Sequence, residues 1–356
     1  MPATYVAGFF FCVGGYMKYD KPFKTYDEQI EILQSKYGIV VKDREFARNI
    51  LISISYNDLI SGFKNVLEKE SNSLNEITIE YLYELHLLDK SVQAFILKYS
   101  LFIENLFKNV MAYSIASSFG VDVNKYLDAN NYQAYSAGTS FMENVLTEIL
   151  PILKDKKYAF QPTKDYVNHY NHIPPWILFK NISFGDAINL YNVLKKEQKE
   201  MVINLLFNDS HTIMYDQKVE IIRNGLHNIR TFRNLAAHNL NFADFRVTKS
   251  IQPKQLYHVL PGLIYLTEDL KQPLNIDKKA CKGLYSVVLI ILLLLNTKDL
   301  KSVFVTDFLN TVYQSSTSER FLLKTELFKD YCKLTAMPKN LFERLHKYLK
   351  LQENIL

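Results

Sequence analysis

In 356 residues the chain has only 3 cysteines, 10 prolines, 11 glycines and a single tryptophan. Cys12, Cys281 and Cys332 stand far apart and in no CxxC or zinc-ligand spacing, which leaves neither a disulfide framework nor a zinc site and suits a reducing cytoplasm. No glycine-rich loop opens a helix, so the phosphate cradles of nucleotide-binding α/β folds are missing. Strand signals are nearly absent as well: no alternating segment runs into an Asn-Gly or Asp-Gly hairpin turn. Long apolar runs are lacking. The stretch Tyr5 to Met17 has no basic flank and is broken by Gly8, Gly14 and Gly15, which makes it a poor secretion signal. Tyr285 to Leu295 is too short to cross a bilayer as a helix and reads as a buried core helix, so no membrane is expected. Acidic side chains are scattered rather than paired at a spacing that would hold two magnesium ions, and neither a metal nor another cofactor is expected.

Nor does one sign of charge dominate. Lys and Arg number 42 against 37 Asp and Glu, a net charge of +5, which permits a polyanionic partner without the charge density of a protein that coats nucleic acid. What is present is an ordinary globular composition, 48% hydrophobic and 22% charged, sufficient for two or three helical subdomains. The 24 tyrosines and 23 phenylalanines could offer stacking surfaces, but an A+T-rich coding sequence produces the same bias.

The punctuation is helical. Thr25-x-x-Glu28, Ser73-x-x-Glu76 and Ser140-x-x-Glu143 read as capping boxes, and Gly38 and Gly120 fall where helices should end. The pattern predicts a helical unit from Thr25 to Glu70, a long central helix from Glu76 to Phe119 and a helix near Phe141 to Leu153. Lys154 to Pro175 reads as a loop around Pro162, Pro174 and Pro175. Helices resume over Asp186 to Lys195, Gln198 to Phe207 and Asp216 to His238, with a loop at Asn239. The rest is helical again, with Pro338 placed as the first-turn proline of the last helix. The expected class is all-α, divided into an extension over 1–20, an N-terminal helical unit over 21–75, a helical domain over 76–245 and a C-terminal helical region over 246–356.

The segment Val219 to His238 carries the chemistry. At about 100° per residue Val219, Ile222, Leu226, Ile229 and Ala236 share an apolar stripe, and Arg233 falls inside it. A guanidinium there is costly unless an acceptor meets it. Glu104, at the edge of the apolar arc of the long helix, is the candidate partner. On the adjoining arc Arg223, His227, Arg230, Asn234 and His238 form a polar strip suited to a phosphate backbone. Asn234 and His238 lie one turn apart, so the amide can orient the imidazole or hold a phosphate oxygen beside it. Arg233 points about 140° away from His238 on a straight helix. Convergence of the two requires a helix end that unwinds or a second copy of the site, which favours a homodimer. Ribonucleotides carry their own nucleophile in the 2′-hydroxyl, so a histidine for proton transfer and an arginine for the phosphorane charge can suffice without a metal.

By chance, eight arginines and eight histidines would produce such an Arg-to-His spacing about once in every two chains of this length, so context must supply the specificity. Lys21 to Ile30, Ser55-Tyr56-Asn57-Asp58-Leu59-Ile60-Ser61-Gly62-Phe63, Leu88-Asp89-Lys90, Ile103-Glu104-Asn105, Pro175-Trp176 with Ser183-Phe184-Gly185, and Arg233-Asn234-Leu235-Ala236-Ala237-His238 follow one another in order. Together they resemble the Abi family of phage abortive-infection proteins, the group including AbiD and AbiF, over about Lys21 to Phe245. Gln93 and Lys108 stand where that resemblance leads one to expect arginines, and the first sixteen residues precede its start near Met17. The resemblance implies a HEPN-like helical bundle over 76–245 and an R-x4-6-H ribonuclease motif. Arg233, Asn234 and His238 would then be catalytic, with Glu104 in support and Arg223, His227 and Arg230 on the RNA. The alternative is a non-catalytic RNA-binding module associated with a small RNA, in which Arg233 is structural. A protein-interaction scaffold is the third reading. His169 and His172, three apart, have no neighbouring ligands to complete a metal set, and the run Lys195, Lys196 and Lys199 reads as a solvated face or an extension of the RNA track.

Overall fold

A computed structural model describes residues 20–61, 63, 77–133, 143–147, 149, 161–207, 213–241, 243–269, 271–313 and 321–353. The expected capping boxes at Ser73 and Ser140, most of the helix near Phe141 to Leu153, the run Tyr5 to Met17, Cys12, and Lys154, Lys156 and Lys157 lie outside these residues. Among the described residues every regular element is helical, and strand pairing is limited to isolated bridges such as Val40 with Thr78. The fold is all-α.

α1 (Tyr26–Tyr37), α2 (Arg44–Ser53) and α3 (Tyr56–Ser61) form the N-terminal group. The Thr25 box is made in full: the Glu28 amide donates to Thr25 Oγ1 at 3.3 Å and the Thr25 amide to Glu28 Oε2 at 2.8 Å, and Gly38 closes the helix at φ +65°. α4 (Ile79–Phe119) is the long helix the pattern predicts. Its 41 residues span about 60 Å at 1.5 Å per residue. Its N-cap is Thr78, two residues after the expected start, and the Thr78 hydroxyl accepts from the Tyr81 amide.

Apolar side chains point from α4 in nearly every direction, because other helices pack all round it. Leu82, Leu85, Val92, Ile96 and Phe107 are fully enclosed. On one side α8 (Phe184–Val193) brings Phe184 and Tyr191 edge-on to Phe107, with ring centroids 6.3 and 5.9 Å away. On another, α14 (Lys298–Tyr313) lays Phe304 and Phe308 against Phe95 at 4.9 and 5.1 Å. Such ring pairs contribute about 0.5–1.5 kcal/mol each beyond the area they bury.

Between these elements run α5 (Val123–Tyr126), a 3-10 turn (Ala129–Asn131), α6 (Thr163–His169), α7 (Pro175–Leu178), α9 (Lys196–Leu206), α10 (Tyr215–Ala237), α11 (Pro253–Val259), α12 (Asn275–Ala280) and α13 (Leu284–Leu294). All eleven residues of α13 are buried, so the apolar run at Tyr285 is a core helix. No described helix is long and apolar enough to cross a membrane. α15 (Phe321–Thr335) and α16 (Leu341–Glu353) end the chain.

Two expectations fail locally. The stretch read as a loop contains α6, because Pro162 takes the N-cap position, where a missing N–H costs nothing. Pro338 is not in the last helix: it precedes Leu341 by three residues, and its carbonyl accepts from the Leu341 amide in a turn.

The C-terminal helices hold the rest of the chain through buried polar contacts. Arg344, 1% exposed, pairs with fully buried Asp277, donates to the Leu263 carbonyl at 2.9 Å and lies 3.9 Å over the Tyr265 ring. Asp89 of α4, also fully buried, accepts from Tyr331 of α15 at 2.9 Å and from Gln93 at 2.6 Å. Burial pushes the Asp89 carboxyl up to about 6, although both hydrogen bonds oppose the shift. Its pKa is therefore higher folded than unfolded. The stability it supports is complete below about pH 4 and is lost as pH rises through about 6. Asp89→Asn keeps an acceptor for Tyr331, meets Gln93 only if that amide turns over, and should gain on wild type by up to about 3 kcal/mol across that window. Urea unfolding of the two proteins from pH 4 to 7 checks this, and a difference that does not change with pH would contradict it.

Candidate active site

α10 lies on α4, α13, α8 and α9, and its sequence fits each neighbour. Ile222, Leu226 and Ile229 are fully enclosed, as the apolar stripe predicts, whereas Val219 and Ala236 are only partly buried. The buried face is wider than that stripe. Asn224, Gly225 and Asn228 also point inward, because α13 covers a second side. A Cβ on Gly225 would sit 2.8 Å from Ile290 Cγ2, so only glycine lets α10 and α13 approach this closely. Asn228 donates its NH2 to the Lys249 carbonyl at 3.2 Å.

Arg233 does find Glu104. Their Nη2 and Oε2 atoms are 3.6 Å apart, and Lys108, one turn further along α4, meets the other carboxylate oxygen at 2.7 Å. Glu104 is mostly buried, with its side chain 13% exposed, and is neutralised by two cations, so the burial is compensated. The Arg233 side chain is 33% exposed. It is anchored from inside and open toward solvent. Its Nη1 donates to Asn234 Oδ1 at 3.1 Å. The Asn234 amide oxygen is thus engaged by Arg233, which leaves its NH2 as the group that can face the imidazole or a phosphate oxygen.

His238 stands at the last position held by the helix, its amide donating to the Asn234 carbonyl at 3.0 Å. It is the C-cap of α10, at φ −92° and ψ 10°, and Asn239 follows in the left-handed region at φ +56°. The Asn239 amide donates to the Ala236 carbonyl at 3.1 Å, and the Leu240 amide to Leu235 at 2.9 Å. This paired pattern is a Schellman motif, with asparagine where glycine is usual. Lys90 of α4 fastens the loop by donating to the Asn239 carbonyl at 3.3 Å. The imidazole of His238 is exposed and makes no hydrogen bond to the described residues.

The polar strip is basic. The Arg230 guanidinium lies over Gly185, where a Cβ would fall 2.7 Å from Arg230 Cζ and this flexible side-chain end would have to shift. Ser183 and Asp186 close a capping box over the same turn with two contacts of 3.1 Å, missed in the sequence because aspartate stands in for glutamate. Burial, together with Lys249 and Arg230, lowers the His227 pKa. Lys199 lies near Arg223, and burial and that guanidinium push its ammonium down to about 8. Its Nζ donates to the Asn192 carbonyl at 2.8 Å. Lys199 thus belongs beside the strip, while Lys195 bonds the Asn130 carbonyl and Lys196 faces Glu200 at 3.8 Å. His169 and His172 are exposed and bonded locally, to Asp165 and Asn171. Among the described residues no three His, Cys, Asp or Glu side chains are grouped to hold a metal.

The helices carrying these side chains coincide with what comparison with known proteins recovers. A family model described as Abi-like protein matches residues 49–243, which include α4, α8, α9 and α10. The chain belongs to the Abi-like family. The match starts at Asn49, so the block Lys21 to Ile30 lies before it. No curated protein and no solved structure matches the chain.

The helix end at His238 is testable. Asn239→Gly should preserve or slightly raise stability, and Asn239→Val should lower it by about 1–2 kcal/mol, since a β-branched residue is strained in the left-handed region. Urea midpoints in the opposite order would rule the motif out.

Proposed function

We propose that the chain acts in phage abortive infection as a metal-independent endoribonuclease of the HEPN type. The observation that carries this reading is the end of α10: His238 is exposed at the C-cap, five residues beyond a partly exposed Arg233 that Glu104 pairs with. In the reaction, the 2′-oxygen of a ribose bonds to the adjacent phosphorus while the bond from phosphorus to the 5′-oxygen breaks. The 2′-hydroxyl loses a proton and the 5′-oxygen gains one, leaving a 2′,3′-cyclic phosphate and a 5′-hydroxyl. His238 serves one of these proton transfers, and Arg233 holds the negative oxygens of the phosphorane. Arg223, His227 and Arg230 track the flanking phosphates. A homodimer supplies the second histidine, so that one imidazole acts as base and its counterpart as acid. Family membership supports the abortive-infection role.

The second reading, a non-catalytic module that holds a small RNA, is favoured by the engagement of Arg233 with Glu104 and Asn234. Cleavage of a labelled RNA in EDTA separates the two. Wild type should yield cyclic-phosphate ends. Arg233→Ala and His238→Ala should each cut about 10²–10⁴-fold more slowly at unchanged RNA affinity. RNA bound equally by all three and cut by none would establish the module. A site that draws His238 from both protomers predicts no recovery of cleavage on mixing the two variants, because the mixed dimer holds a single His238.

A further inference from the structure

Beside Glu104, on the side of α4 that faces α7, lies an open cavity of about 180 Å³. Its wall includes Asn105, Lys108 and Asn109 of α4, together with Trp176 and Lys180 at and just after α7. Glu104 also lines it. One carboxylate is therefore shared between this cavity and Arg233, which places the cavity next to the proposed cleavage site.

Trp176 is the only tryptophan in the chain and is 46% exposed, while Pro174, Pro175, Ile177, Leu178 and Phe179 around it are buried. Two prolines and a short buried helix fix the backbone under the indole, so the ring is a rigid plate. Such a plate loses little entropy when another ring stacks on it. Leu101 and Phe179 complete an apolar part of the wall, and the rest is polar. Lys180 Nζ donates to Asn105 Oδ1 at 3.3 Å, Lys108 is pinned on Glu104 at 2.7 Å, and the exposed Asn109 amide makes no hydrogen bond to the described residues. Carboxamides can donate to and accept from the edge of a heterocycle. Two lysines against a single glutamate that Arg233 already faces leave the rim positive. The volume lies below the roughly 300 Å³ at which pockets begin to take drug-sized ligands, which fits one ring system and little more.

Resting on the ribonuclease reading above, we propose that this cavity takes one unpaired nucleobase of the RNA strand, stacked on Trp176, with the adjoining phosphate on Lys180. Bases splayed out of single-stranded RNA are recognised in this way, by an aromatic face and a few edge contacts. The site would favour a loop or a single strand over a duplex.

The sole indole is its own reporter. A 2′-O-methyl RNA hexamer lacks the free nucleophile and cannot be cut, so binding can be followed by Trp176 emission and by anisotropy of a labelled copy. The expected result is saturable quenching with the same midpoint as the anisotropy. Trp176→Ala should weaken binding about 5- to 100-fold and Trp176→Phe less, with thermal unfolding of the phenylalanine variant near that of wild type. Lys180→Ala should reduce the dependence of log Kd on log salt by about 0.7. Anisotropy without any change in emission, or equal affinity of Trp176→Ala and wild type, overturns the subsite and leaves the nuclease reading intact. Quenching by the hexamer with no cleavage of unmodified RNA does the reverse. Absence of binding to any RNA overturns both. Emission that shifts with protein concentration alone, with Trp176→Ala converting a dimer to a monomer in light scattering, assigns the face to a second copy of the chain and overturns the proposal.

Discussion

A helix enclosed on most of its sides cannot leave its polar groups to solvent, and the arrangement of this protein follows from that constraint on α4. Where another segment meets a polar side chain that α4 carries into the interior, the meeting fixes where that segment lies. Asp89 is met by Tyr331, Glu104 by Arg233 and the Ser114 hydroxyl by the Gln198 carbonyl. Near its middle, α4 also reaches α14, through Tyr99 and Lys98 on Asp307. The apolar contacts supply most of the free energy, but they are non-directional. The polar contacts set the rotation and register of α10, α14 and α15 about a common axis.

The ion pair at Glu104 shows how stability and chemistry use the same atoms. Arg233 starts from an apolar stripe, where an unpartnered guanidinium would be intolerable. Glu104 compensates the charge on one side and leaves the other side of the guanidinium to solvent. Lys108 adds a second positive charge to the same carboxylate, so the resemblance's expected arginine at that position is replaced by another cation in an equivalent electrostatic role.

Much of this was legible from residue order. Periodicity located α4 and α10, and the cost of burying Arg233 pointed to Glu104. Local chemistry with fewer precedents was less visible. Asparagine at the left-handed position of a Schellman motif, an aspartate-closed capping box at Ser183 and a helix nucleated at Pro162 all depart from the commonest residue choices. Long-range partnerships were invisible for a different reason: nothing in the order of residues reveals that Tyr331 reaches Asp89 or that Ile290 presses on Gly225. The burial of Asn224 and Asn228 follows from that second contact, which a projection of α10 alone does not contain.

The close approach of Gly225 to Ile290 has a consequence during synthesis. α10 carries Arg233 and His238, yet the surface that backs it, α13, is translated later, as are α14 and α15. A nascent chain that has made the motif but not its backing leaves the seam at Gly225 uncovered. α10 gains its full backing only when a segment outside the family-matched region closes over it.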